Sequence, residues 1–191
     1  LLKKNISKYK VNDISPIHLA LSNQVGKADF WVSSGAPEEL KNNTEWDYGN
    51  KSSSLLPPNK TQDVFKWLKF ENKEIVNTST LELFCKENKI DTIDFIHIDV
   101  QGAELMVLSG ARSKIPFIKM IWMEVENIEL YKNQPLKDEV EKFMKTSGFT
   151  KIKDNVSHIA GDQLWVNLNY FPRKKLTNFI WKCYSKLFNG K

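Results

Sequence analysis

The feature that most constrains this chain is the stretch from Asp94 to Glu104, DFIHIDVQGAE. Its first residues form a dense β-branched and aromatic run, typical of a strand buried on both faces. The run closes on Asp99. Gly102 then turns the chain into a short helix predicted over 103–109, with Gly110 as its stop signal. In an open parallel sheet, ligands bind in the crevice beyond the carboxyl ends of the strands. An acid-tipped strand followed by a glycine turn therefore gathers a carboxylate, free helical amides and closely approachable backbone in one place.

The rest of the chain repeats this alternation. Residues 1–9 read as the end of a helix, with Leu2 and Ile6 one turn apart. Residues 14–22 and 27–33 read as strands joined by a turn at Gly26. Residues 34–60 are irregular, rich in Ser, Asn, Gly and Pro, and Pro57-Pro58 stops any helix. A connection of that length is usually functional or disordered. Residues 60–71 fit a helical stripe with weak flanks. A strand is predicted at 74–78, then a helix to Lys89 capped by Thr78 or Ser79. Residues 118–125 form a second buried strand. Pro135 opens a helix with Val140, Phe143 and Met144 on one face, closed by Gly148, and strands at 149–153 and 163–168 finish the pattern. Strands alternating with helices predict an α/β sandwich with a mostly parallel sheet.

Composition narrows the function classes. The chain has 191 residues, 41% of them apolar and 27% charged, which is ordinary globular usage. No segment approaches the roughly 20 consecutive apolar residues of a membrane span. The two cysteines, Cys85 and Cys183, and three scattered histidines make neither a disulfide framework nor a zinc site. The formal charge of +5 comes from the tail, where Arg173, Lys174, Lys175, Lys182, Lys186 and Lys191 face no acid. The 172 residues before it carry 22 basic and 23 acidic groups, which argues against a nucleic-acid-binding body. The chain opens without methionine and shows no secretory pattern, so a cytoplasmic setting is expected.

The candidate chemical groups are the acids at the strand ends. An acid inside a run of Ile, Phe and Val is costly without a role or a partner, which singles out Asp99. Glu124 and Glu126 tip the strand at 118–125. Glu104 falls in a first helical turn, where the helix dipole favours a carboxylate without any substrate. His97 reads as a hydrogen-bonded core histidine, and Cys85 as core.

The residues from Asp94 to Leu105, followed by Val107-Leu108-Ser109-Gly110-Ala111, resemble the signature of the FkbM-type S-adenosylmethionine-dependent methyltransferases. Leu19 to Ser22 with Gly26 and Phe30, Ser52 to Leu55, Thr78 to Leu81, Met123-Glu124-Val125 and Gly148-Phe149 resemble the surrounding segments in order. The resemblance spans about residues 1–168. It implies a Rossmann-like fold and methyl transfer from S-adenosylmethionine to a hydroxyl of a sugar or glycosylated metabolite. By family position, Ala20, Leu21, Ser22 and Asp99 are expected at the cofactor. Asp99, Glu104 and Glu124 are expected to serve catalysis, and Ser53, Ser54 and Gly102 to contact the acceptor. Metal-free transfer is expected ahead of a divalent cation held by Asp99 and Glu124.

Two departures stand out. Gln101 occupies a position where the family commonly has Glu. The glycine-rich loop after the family's first strand and the acid ending its second strand have no counterpart. The sheet is therefore expected to lack its first two strands, leaving the 14–22 strand about 14 Å from the 94–100 strand at roughly 4.8 Å per spacing. Weak cofactor binding follows for this chain alone. A non-catalytic remnant of the fold, serving a partner or a membrane surface, is the alternative.

Residues 1–170 are read as a partial methyltransferase domain and 171–191 as a basic amphipathic helix. Leu176, Phe179, Ile180, Cys183, Leu187 and Phe188 share one face at helical spacing. That face can pack on the domain, or lie in an anionic membrane interface. Co-sedimentation with anionic liposomes separates the two. Loss of binding on truncation at Pro172 supports the membrane, whereas loss of thermal stability without any liposome binding supports packing.

Overall fold

The computed structural model describes residues 2–10, 13–40 and 48–171. The amphipathic face expected in the tail lies outside the described residues. The chain opens with helix α1 (Leu2–Lys8), followed by a two-residue strand β1 (Ala20–Leu21) and strand β2 (Gly26–Ser34). A single helical turn α2 (Thr61–Val64) occupies the start of the ambiguous 60–71 segment, and β3 (Lys69–Ser79) takes its end together with the shorter strand expected after it. Then come α3 (Leu81–Glu87), β4 (Ile93–Ile98), α4 (Glu104–Ser109), β5 (Ile118–Glu126) and α5 (Lys137–Thr146). A hairpin of β6 (Phe149–Asp154) and β7 (Ala160–Asn167) completes the described fold.

These elements form an α/β structure with two sheets, ordered β1-β3-β2 and β4-β5-β7-β6. The expectation of a mostly parallel sheet is corrected. Among the described residues only β1·β3 and β4·β5 run parallel, while β2·β3, β5·β7 and β6·β7 are antiparallel. The reason is topological. Periodicity identifies strands, but a tight β6–β7 hairpin reverses direction, and β7 then inserts between β5 and β6.

The long strand expected at 14–22 shrinks to Ala20–Leu21, because only those residues find a ladder partner, at Thr78 and Ser79 of β3. The cap of α3 is Thr80, whose Oγ1 accepts from the Leu83 amide at 3.1 Å, one residue beyond the expected Ser79.

The core lies on the four-stranded sheet. Ile121, Met123, Val125 and Trp165 are packed beneath Leu81 and Cys85 of α3, Leu108 of α4 and Val140 and Met144 of α5. The β4 strand is not buried on both faces: Phe95 is 50% exposed and His97 is also exposed. Among the described residues β4 has a ladder partner on one side only, which leaves its outer face open.

No ladder joins the two sheets among the described residues; close backbone contacts do so instead. The Gly110 carbonyl accepts from the Glu82 amide at 3.1 Å, and a Cβ on Gly110 would lie 2.1 Å from the Ser22 carbonyl oxygen. Here the end of α4 touches the chain leaving β1. Gly110→Ala is expected to lower stability by about 1–3 kcal/mol, the usual cost of overpacking. Urea unfolding measures it; an unchanged midpoint would show that Ser22 yields freely.

Candidate active site

Strand register builds the site. In the parallel β4·β5 ladder Ile98 faces Met123, so Asp99 follows beside Glu124 at the carboxyl ends of both strands. Across the next ladder Glu124 faces Asp162. Three acids thus lie in a row over three strands, with Glu126 two residues further along β5.

The turn after β4 then folds over these acids. Gln101 and Gly102 both have positive φ, +55° and +88°. Gly102 tolerates this freely, whereas Gln101 sits in a region that costs a side-chain-bearing residue of order 1–3 kcal/mol. Hydrogen bonds hold it there. Gln101 Nε2 donates to Asp99 Oδ1 at 2.6 Å and to Glu124 Oε2 at 2.7 Å. Its Oε1 lies 3.1 Å from the Tyr131 hydroxyl, whose single proton is shared between that oxygen and the Ser52 carbonyl at 2.7 Å. Its backbone carbonyl accepts from Ser54 Oγ at 2.7 Å.

Beneath the turn, Glu104 is 3% exposed, and its Oε1 accepts from the amides of Val100 and Gly102 at 3.1 and 3.2 Å. Burial is the main cause that pushes its pKa up to about 7, against the opposing pull of those amides. Glu124 is also raised to about 7, by burial first and then by the charges of Asp99 and Glu104. Glu126, 2% exposed, is raised to about 9 by burial and by the charges of Glu104 and Glu124. Its Oε1 and the Nε2 of buried Gln134 have no hydrogen-bond partner. The Tyr131 hydroxyl is held well above its ordinary range, again by burial first.

A cleft of about 410 Å³ opens beside this cluster, between β1 and the end of β4. Leu19, Ala20, Leu21, Phe30 and Leu55 supply apolar walls, and Ser53, His97 and Asp99 supply polar groups. Concave, mostly apolar walls with a few convergent polar groups are the usual make-up of a small-molecule site. Among the described residues, no three of His, Cys, Asp and Glu are grouped so as to hold a metal ion.

Residues 3–151 match the methyltransferase FkbM domain. The chain belongs to the FkbM methyltransferase family. It is also similar to the 2-O-methyltransferase NoeI of Sinorhizobium fredii (strain NBRC 101917 / NGR234), with 32% identity over 116 residues. That match covers 61% of this chain and 45% of the relative, so the chain spans less than half the length of the curated protein it matches. No solved structure matches it.

Within this FkbM domain, the expected residues fall into two groups. Asp99, Ala20, Leu21 and Ser53 line the cleft, and Glu124 is tied to Asp99 through Gln101. Glu104, Ser22, Ser54 and Gly102 are buried and lie outside the cleft lining. Glu104 holds the turn, Ser54 anchors Gln101, and Ser22 packs on Gly110. Gly102 packs against Gln134 and Tyr131. His97 is corrected from a core histidine to an exposed residue of the cleft wall. Sequence reasoning missed the roles of Gln101, Tyr131 and Gln134, which no local pattern marks. The departure from Glu at position 101 was the one available signal.

The raised acids make stability fall as pH rises. Between the ordinary carboxyl value of 4.5 and about 9, folded Glu126 keeps a proton that the unfolded chain has released. Glu104 and Glu124 add to the loss up to about 7. Glu126→Gln is expected to flatten the decline in melting temperature between about pH 5 and about pH 9. A variant whose melting temperature falls as steeply as the wild type's would remove Glu126 as the cause.

Proposed function

We propose that this chain carries part of the active site of an S-adenosylmethionine-dependent O-methyltransferase acting on a sugar hydroxyl. The observation that carries the reading is Asp99, exposed at the end of β4, facing apolar walls across a cleft it shares with Ser53. A Rossmann-like arrangement of the whole domain is supported by the parallel β4·β5 pair, whose connection runs through α4, and by acids at the carboxyl ends of those strands. The acceptor class is supported by the printed activity of the relative, a 2-O-methyltransferase.

The residues present suit one end of such a cofactor. Ala20, Leu21 and Phe30 offer apolar surface to a flat ring, and Asp99 and Ser53 remain for the acceptor. When bound, S-adenosylmethionine supplies a sulfonium methyl that an oxygen nucleophile can take by in-line displacement. The protein's part is to place the acceptor hydroxyl and to remove its proton. Asp99 accepts the hydroxyl's hydrogen bond and then its proton, while Ser53 positions the sugar. Glu104 keeps the turn in shape from beneath.

The test is methyl transfer by the whole protein to sugars whose 2-hydroxyl is free or blocked. Product is expected only with the free hydroxyl. Asp99→Asn is expected to reduce turnover by at least about tenfold, or 1.4 kcal/mol of transition-state stabilisation, while the protein stays folded. Glu104→Gln should reduce it less. Transfer to the blocked sugars overturns the acceptor assignment, and full turnover in a folded Asp99→Asn protein overturns the role of Asp99.

A further inference from the structure

Two carboxylates brought side by side by strand register repel each other, and the site must reconcile them. A shared proton can do so, a bridging cation can do so, and so can a neutral group with two donors. At Asp99 and Glu124 the third solution is built in beside the first, because the two carboxyls also hydrogen-bond each other directly. The Gln101 side-chain nitrogen has two hydrogens and lies 2.6 Å from one carboxylate and 2.7 Å from the other. The opposite amide orientation would set a carbonyl oxygen against both carboxylates. Tyr131 supports it from the far side, with its hydroxyl 3.1 Å from Gln101 Oε1. The Ser54 hydroxyl pins the backbone carbonyl of the same residue. Every polar atom of the Gln101 side chain is thus engaged, and its backbone is held in a left-handed conformation that only such anchoring makes tolerable.

We propose that Gln101 is a positioning residue: its side-chain amide clips Asp99 to Glu124 in the place a bridging cation would take, and so holds Asp99 toward the cleft. The amide contributes no charge, leaving Asp99 free to receive a proton from an acceptor hydroxyl. Glutamate at this position would keep the shape and replace both donors with acceptors. Asp99, Glu124 and the new carboxylate would then form a three-acid oxygen site of the kind that hard divalent cations occupy.

The experiment compares the wild type, Gln101→Glu and Gln101→Ala in the whole protein. Both variants are expected to lower kcat by at least about tenfold while the KM for S-adenosylmethionine stays within about twofold, because the clip orients a group that acts in the transition state. Gln101→Glu keeps the side-chain length and the acceptor for Tyr131, so the kinetic arm stands even if Gln101→Ala fails to fold. In a second arm, melting temperatures are measured with and without millimolar manganese(II). Manganese should raise that of Gln101→Glu and leave the wild type unmoved. Wild-type kcat in Gln101→Glu overturns the proposal. So does manganese stabilising both proteins equally, or neither. The kinetic arm rests on the methyltransferase reading; if the wild type transfers no methyl, that reading fails and the manganese arm still decides the clip.

Discussion

The structure depends on the turn between β4 and α4, and on one buried carboxylate inside it. Glu104 accepts the amides of Val100 and Gly102, which would otherwise be left without partners as the chain reverses. That pair of bonds fixes two consecutive positive φ values at Gln101 and Gly102. The turn in turn aims the Gln101 amide at Asp99 and Glu124, and brings the Gln101 carbonyl to Ser54. Gly102 leaves only enough room for Gln134 and Tyr131, since a Cβ there would lie 3.1 Å from Gln134. Loosening one residue of this turn would disturb both sheets.

The acids are an electrostatic burden on the fold. Glu104, Glu124 and Glu126 are all pushed upward by burial and by one another. Such groups lower their cost by holding protons that exposed carboxyls would lose, or by accepting backbone and amide donors. Both devices are present. Glu126 relies on its proton; the equally buried Glu104 also uses backbone amides; Asp99, at the surface, is steadied by the Gln101 clip. The exposed end of this series is the one that meets the cleft.

The cleft joins parts of the chain that the sequence keeps far apart. Phe30 and Ser53 come from the three-stranded sheet and its following loop, while Ile96 to Asp99 come from the edge of the four-stranded sheet. Hydrogen bonds bridge the two: the Ser54 hydroxyl to the Gln101 carbonyl, the Tyr131 hydroxyl to the Ser52 carbonyl, the Glu82 amide to Gly110 and the Lys132 amide to Pro57. The irregular segment after β2, which carries Ser53 and Ser54, is therefore part of the site's wall. Its described residues are tied to β2 by side-chain bonds, the Ser33 hydroxyl meeting the Gly49 carbonyl and the Ser53 hydroxyl.

The sequence by itself determined most strands and helices from Gly26 onward, that acids tip β4 and β5, and that Asp94 to Ala111 carries the family's signature. Those are local properties: periodicity of apolar side chains, Gly102 and Gly148 at element ends, and residue order. Only the tertiary structure decided the mixed direction of the sheets, the exposure of Phe95 and His97 on an edge strand, and the division of the expected site residues between cleft and interior. It alone decided that Gln101 meets Glu124, 23 residues away, and that Tyr131 meets Gln101, 30 residues away. The physical reason is range. Dihedral preference and apolar periodicity act over a few residues, whereas ladder register and hydrogen-bond partnership are settled when distant segments compete for the same neighbours.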